Sequence, residues 1–159
     1  MREPCCRNDK EEKVKTLVVY DSVFGNTEKV AQAVAAVLPG TVKVARVGGV
    51  SARDLGGADL LVLGSPTVGG RPTKPMQEFV QSIPQGVAKT VRLAAFDTRI
   101  TMKFARAFGY AAPRMADTLA RKGSSLKLPP EGFIVKGRNG PLAEGELDRA
   151  ADWGKKVSR

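Results

Sequence analysis

The densest hydrogen-bonding chemistry in this chain lies in one turn, Ser22-Val23-Phe24-Gly25-Asn26-Thr27. It follows an apolar run, Thr16–Tyr20 (TLVVY), and leads into a helical pattern. Such a turn gathers unpaired backbone N–H groups and the positive end of a helix at one point, which suits an anion and above all a phosphate. Gly25 lets the chain approach a ligand closely or take a positive φ. Ser22 and Thr27 offer hydroxyls, and Asn26 can donate its amide or cap the helix. No Lys or Arg lies inside the turn, so a phosphate would rest on neutral dipoles, each hydrogen bond to it worth about 1.5–3 kcal/mol. The competing reading is a well-capped helix start with no ligand. Both the G-x-x-x-x-G-K-[ST] loop and the dinucleotide G-x-G-x-x-G pattern are missing, which sets aside nucleoside triphosphatases.

Other chemistry is narrowed by what the sequence contains. It has no His, which excludes Ser-His-Asp and Cys-His mechanisms and His-ligated metals. Cys5 and Cys6 are adjacent in a charged leader, residues 1–14, and supply neither four ligands nor a C-x-x-C pair. That leader is charged where a signal peptide is apolar, so a cytoplasmic location is expected. No apolar run of about 18 residues predicts a membrane span. Formal charge is +10, and Arg99 to Arg138 holds nine Lys or Arg against Asp117 and Glu131. Such an excess speaks to association with anionic partners, not to fold. Lys103–Tyr110 (KFARAFGY) interleaves charge with aromatics, but no nucleic-acid motif accompanies it and no nucleic-acid partner is expected.

At 159 residues the chain is expected to form a single domain over 15–159. Short apolar runs predict strands at Thr16–Tyr20, Val42–Val47, Leu60–Leu63 with Gly64, Val91–Phe96 and Gly132–Val135. Three are nearly continuous, as in strands buried on both faces. Val42–Val47 alternates, as an edge strand does. Helical spacing appears over Thr27–Leu38, Pro72–Ile83, Pro113–Lys122 and Glu144–Val157, with one helical turn in 52–58. Strands separated by helices predict right-handed crossovers and one parallel sheet covered on both faces, with ligands beyond the strands' carboxyl ends.

Val18, Val19, Tyr20, Ser22, Gly25, Thr27 and Ala31 together resemble the flavodoxin signature, and the likeness runs from about Thr16 to Lys156. The resemblance implies a flavodoxin-like three-layer α/β sandwich with a five-stranded parallel sheet in the order 2-1-3-4-5. It also implies flavin mononucleotide (FMN) at the switch point, the family being a standing example of that rule. Ser22, Val23, Phe24, Gly25, Asn26 and Thr27 would then grip the FMN phosphate, although many flavodoxins carry a hydroxyl where Phe24 stands. Pro66, Thr67, Val68, Gly69 and Gly70 match the loop that covers one side of the ring, with Gly69–Gly70 as a hinge whose carbonyl can turn toward the flavin N5. The same stretch reads equally as an ordinary loop before a Pro-started helix.

Asp97, Thr98 and Arg99, in a loop expected after Phe96, match the positions that meet the flavin's pyrimidine edge. Asp97 could instead cap a turn. Phe104, Phe108 and Tyr110 are the candidates for a stacking aromatic. The implied function is electron transfer carried by the flavin. Alternatives are a small FMN-dependent NAD(P)H:quinone-type oxidoreductase and a basic binding module that has lost the cofactor. The basic surface further implies a redox partner with an acidic docking face, or NAD(P)H or a quinone, acting on a monomer or weak dimer. Cations near the flavin would make its second reduction potential less negative than in acidic relatives.

Overall fold

The structure, a computed structural model, describes residues 14–101 and 109–159. The leader through residue 13, with Cys5 and Cys6, and the candidate aromatics Phe104 and Phe108 lie outside the described residues.

A single parallel sheet organises the chain. Its strands are β1 (Lys15–Tyr20), β2 (Thr41–Arg46), β3 (Leu60–Pro66), β4 (Arg92–Ile100), β5 (Ser125–Leu126) and β6 (Glu131–Val135). The order is β2-β1-β3-β4-β5, with β6 pairing farther along β4, so β5 and β6 are two pieces of one fifth position. Lys127 to Pro130 separates them. Pro129 and Pro130 have no N–H to give a ladder, which accounts for the break. The expected 2-1-3-4-5 order is therefore the order found. β2 is the outer strand that its alternation predicts, with Lys43 and Arg46 as charges that discourage further pairing.

Six α-helices flank these strands among the described residues: α1 (Asn26–Val37), α2 (Ala52–Leu55), α3 (Lys74–Ser82), α4 (Gln85–Ala88), α5 (Ala111–Arg121) and, after the last strand, α6 (Glu146–Val157). Side chains alternate across a strand, and the core divides accordingly. Leu17, Val19, Leu61, Leu63, Leu93 and Ala95 meet Met76, Val80, Met115 and Leu119 on one face. Val18, Tyr20, Val62, Ala94 and Phe96 meet Val30, Val34, Ala150 and Trp153 on the other. There Phe96, Phe133 and Trp153 form a triangle of edge-on rings with centroids 5.9–6.2 Å apart. Gly64 makes room for it, because a Cβ there would stand 2.1 Å from Cζ of Phe96.

Two expectations are corrected. The helix expected from Pro72 starts at Lys74, because Thr73 is tied elsewhere: its N–H donates to Ser65 Oγ and its hydroxyl to Asp21. The loop expected after Phe96 is strand through Ile100. Glu131–Val135 pairs with Phe96–Ile100 on one side, and Ser65 and Pro66 pair with Asp97 and Thr98 on the other.

Candidate functional site

The sheet order reverses between β1 and β3: the chain leaves β1 for β2 on one side and returns to β3 on the other. Beyond the carboxyl ends of these strands lies a cleft of about 420 Å³, within the range of small-molecule sites. Its floor and walls come from four segments, each with a local reason for its shape.

The turn after β1 is the first. Gly25 takes φ 92° as the residue before α1, a conformation that glycine adopts without penalty. Its N–H donates to Ser22 Oγ at 3.0 Å, and its carbonyl receives Lys29 N–H at 3.1 Å, the first bond of the helix. The N–H groups of Val23, Phe24, Asn26 and Thr27 have no partner among the described residues. Asn26 and Thr27 are orphan donors of the helix start, at the pole where the dipole favours negative charge, and Val23 and Phe24 lie in the turn just before it. Arg46 on β2 braces the turn from behind. It donates to the Ser22 carbonyl at 2.8 Å and stands 3.5 Å from Asp21 and 3.8 Å from Glu28. Tyr20 donates to Glu28 at 3.2 Å; burial first, then the Glu28 charge, pushes the Tyr20 phenol above its usual range.

The loop after β3 is the second segment. Val68 and Arg71 exchange backbone bonds of 2.8 and 3.1 Å around Gly69 and Gly70, whose φ values are both positive (57° and 79°). Positive φ at both central residues is what the tightest hairpin turn demands, and it explains the glycine pair. Thr67 anchors the loop: its N–H donates to the Thr98 carbonyl, and its hydroxyl accepts Ala111 N–H.

The end of β4 is the third. Thr98 faces α1, and its hydroxyl is 2.8 Å from that of Thr27 in a buried pair. Whichever of the two donates, the other keeps one proton to offer. Asp97 points to the opposite face, fully buried, and receives both arms of Arg99 at 2.7 Å and Ala112 N–H at 2.9 Å. Burial pushes the Asp97 carboxyl up, and the Arg99 guanidinium partly offsets it. Arg99 also lies over the Tyr110 ring at 3.5 Å, so Tyr110 is engaged there.

Of the residues expected from the sequence, Ser22, Val23, Phe24, Asn26, Thr27, Pro66, Thr67, Val68, Gly69, Thr98 and Arg99 line this one cleft. Gly25, Gly70 and Asp97 do not. Gly25 and Gly70 shape the turns, and Asp97 holds Arg99. The fourth segment was missed: Ile100 on β4, Val135 on β6, and Gly137 and Arg138 in the hairpin that follows also line the cleft. A signal for the hairpin existed in Gly137-Arg138-Asn139-Gly140, a turn composition directly after a strand. Val23, Phe24 and Val68 are all more than half exposed around the mouth. The cleft therefore joins orphan amides at one end to an apolar rim, a donor set that fits a flat ring carrying a phosphate. Among the described residues, no cluster of metal-ligating side chains occurs and no helix is long and apolar enough to cross a membrane.

Comparison with protein families matches residues 17–104, more than half of the chain, to the flavodoxin domain. No curated protein sequence matches. Among solved structures, a flavodoxin from the domain Archaea superposes with a TM-score of 0.75 at 21% identity, covering 91% of this chain and 96% of its own. Oxidised flavodoxin 2 from Bacillus cereus gives 0.73 at 20% identity, with 91% and 98% covered. Rubredoxin oxygen:oxidoreductase from Desulfovibrio gigas gives 0.71 at 19% identity, covering 94% of this chain and 37% of that larger one. Likenesses at these identities bear on the fold.

Proposed function

The chain belongs to the flavodoxin domain family, and on that premise we propose that it holds FMN in the cleft between β1 and β3 and serves in electron transfer. The flavin supplies the one- or two-electron chemistry, and the protein supplies binding, orientation and electrostatics. No side chain has to act as nucleophile, acid or base, which agrees with a chain lacking His.

The observation that carries this reading is that four residues lining the cleft, Val23, Phe24, Asn26 and Thr27, have unpartnered amides in and just after the turn that leads into α1. They would bind the phosphate, with the free protons of Ser22 and of the Thr27–Thr98 pair as further donors. Val23, Phe24 and Val68 would wall the ring. Phe24 stands at the cleft, 52% exposed, and contributes surface there in place of a hydroxyl. Gly69 would bring backbone to the ring edge within its closed turn. Arg99 is held rigidly by Asp97, so the edge it offers is backbone and guanidinium together and needs no reorganisation on binding. We further read residues 15–159 as the folded unit, a cytoplasmic location, and an acidic redox protein or NAD(P)H as partner.

The test is the absorbance spectrum of the purified protein with and without added FMN, followed by identification of any flavin released on denaturation. Flavin bands perturbed on addition, and FMN released, are expected. A protein that leaves the FMN spectrum and fluorescence unaltered at tens of micromolar would overturn the reading. Steady-state NAD(P)H oxidation with a quinone separates an oxidoreductase from a carrier.

A further inference from the structure

Two arginines line the cleft and a third, Arg46, braces the turn before α1; two of the three are committed. Arg99 is bidentate to Asp97. Arg46 binds the Ser22 carbonyl and lies against Asp21 and Glu28. Arg138 also lines the cleft, is exposed, and makes no hydrogen bond or ion pair among the described residues.

Its position is built rather than incidental. Arg138 sits in a turn closed by Gly140 N–H on the Gly137 carbonyl at 3.0 Å. The hairpin below is tied by Lys136 N–H on the Pro141 carbonyl at 2.9 Å and Ala143 N–H on the Ile134 carbonyl at 2.8 Å. Gly140 packs directly on Asn26, the first residue of α1. A Cβ at Gly140 would stand 2.7 Å from Asn26 Oδ1, and φ there is 100°. The hairpin is thereby pressed onto the turn that carries the orphan amides.

The charge at this end of the cleft is unbalanced toward a phosphate. A phosphomonoester carries about −1.5 to −2 at neutral pH, whereas a helix start offers roughly +0.5. Asp21 and Glu28 are nearby, and Arg46 offsets them. The uncommitted cation that lines the same cleft is Arg138.

We propose that Arg138 supplies the counter-charge for the phosphate of the bound flavin, and so makes the cleft selective for the phosphorylated over the unphosphorylated flavin. The proposal rests on the FMN reading above and names the residue that sets its ligand class. A planar guanidinium suits phosphate oxygens better than an ammonium does. In the sequence the phosphate turn lacks any cation; the fold brings one from more than a hundred residues away.

The test is fluorescence titration of the full chain with FMN and, separately, with riboflavin, at two salt concentrations. Arg138→Gln is expected to raise the FMN dissociation constant about 10- to 100-fold while leaving riboflavin unchanged, and to flatten the salt dependence of FMN binding. Lys136→Gln, which removes an exposed charge from the same hairpin but not from the cleft, is expected to alter neither. Arg138→Lys should keep part of the preference. Equal weakening of both flavins, or unchanged FMN binding in Arg138→Gln beside a wild type that prefers FMN, overturns the role of Arg138 alone. A wild type that binds FMN no more tightly than riboflavin overturns the phosphate site itself.

Discussion

Glu146 shows how one residue can fasten a strand to a helix. It is buried, its Oε2 accepts Ile134 N–H at 2.6 Å, and both its oxygens receive Arg149. Arg149 reaches on to Glu131 and the Gly132 carbonyl and lies over the Phe133 ring. The Arg149 bonds hold the Glu146 carboxyl below its ordinary value of 4.5; burial opposes them, and the Ile134 amide adds to them. A carboxylate with a depressed folded pKa contributes stability that is present above the unfolded value and lost as pH falls through the folded one. Glu146→Gln should therefore cost about 1–2 kcal/mol at neutral pH. The gap to wild type, read from urea midpoints, should shrink as pH drops below about 4.5. A gap that stays constant down to pH 3 would mean that the charge of Glu146 contributes nothing. Asp97 has the opposite sign: burial raises its carboxyl, so the folded chain takes up its proton first and its ionisation weakens the fold as pH rises through that window. Its value lies in fixing Arg99 and the start of α5. Asp97→Ala leaves a mostly buried guanidinium unpaired and should lower stability by about 3 kcal/mol in chemical unfolding. A loss below about 1 kcal/mol would show that Arg99 finds other partners.

Helices and strands were legible where their reason is local. The apolar runs at Thr16–Tyr20 and Leu60–Leu63, the 3.6-residue spacing of Val30, Ala31 and Val34, and the glycine after α5 all act within a few residues. Gly123, for example, takes φ 102° and ends α5, with Gly123 N–H on the Ala120 carbonyl and Ser124 N–H on that of Leu119. What escaped was decided by distant partners. The polar stretch Asp97-Thr98-Arg99 reads as loop because three polar residues in a row rarely enter a central strand, and it is strand because β6 pairs with it on one side, the end of β3 on the other, and Arg99 neutralises Asp97. Arg138 was invisible as a cleft residue for the same reason, since its place depends on a hairpin resting on Asn26. Lys122 is another such long-range device. Its ammonium donates to the carbonyls of Val80, Gln81 and Ile83 at 3.1, 2.6 and 2.8 Å, at the end of α3, where unpaired carbonyls collect. Lys122→Met keeps the stem and removes the donor. It should cost about 1–2 kcal/mol, seen as a lower urea midpoint and faster amide exchange confined to α3 and α4. Uniform loss of protection across the sheet would place the role of Lys122 elsewhere.

At the scale of the molecule, +10 net charge acts on encounters more than on the fold. Arg46 and Arg99 face carboxylates at close range, so their fields are largely cancelled, and Arg138 would be offset by the phosphate it binds; the charge left to act on an approaching partner is that of the chain as a whole. A negatively charged partner is thus drawn by the chain as a whole. Ferricyanide, a trianion, and a cobalt(III) hexaammine trication carry opposite charge and need no docking geometry. Reoxidation of the reduced flavoprotein by ferricyanide should slow as salt rises and the screening length shortens from about 30 Å at 0.01 M to about 8 Å at 0.15 M. With the trication the rate should rise over the same range. With flavin bound, Arg138→Gln and Lys136→Gln should flatten both slopes by similar small amounts, because each removes one charge of the total. Parallel slopes for the two acceptors would mean that electrons leave by a route the basic surface does not influence.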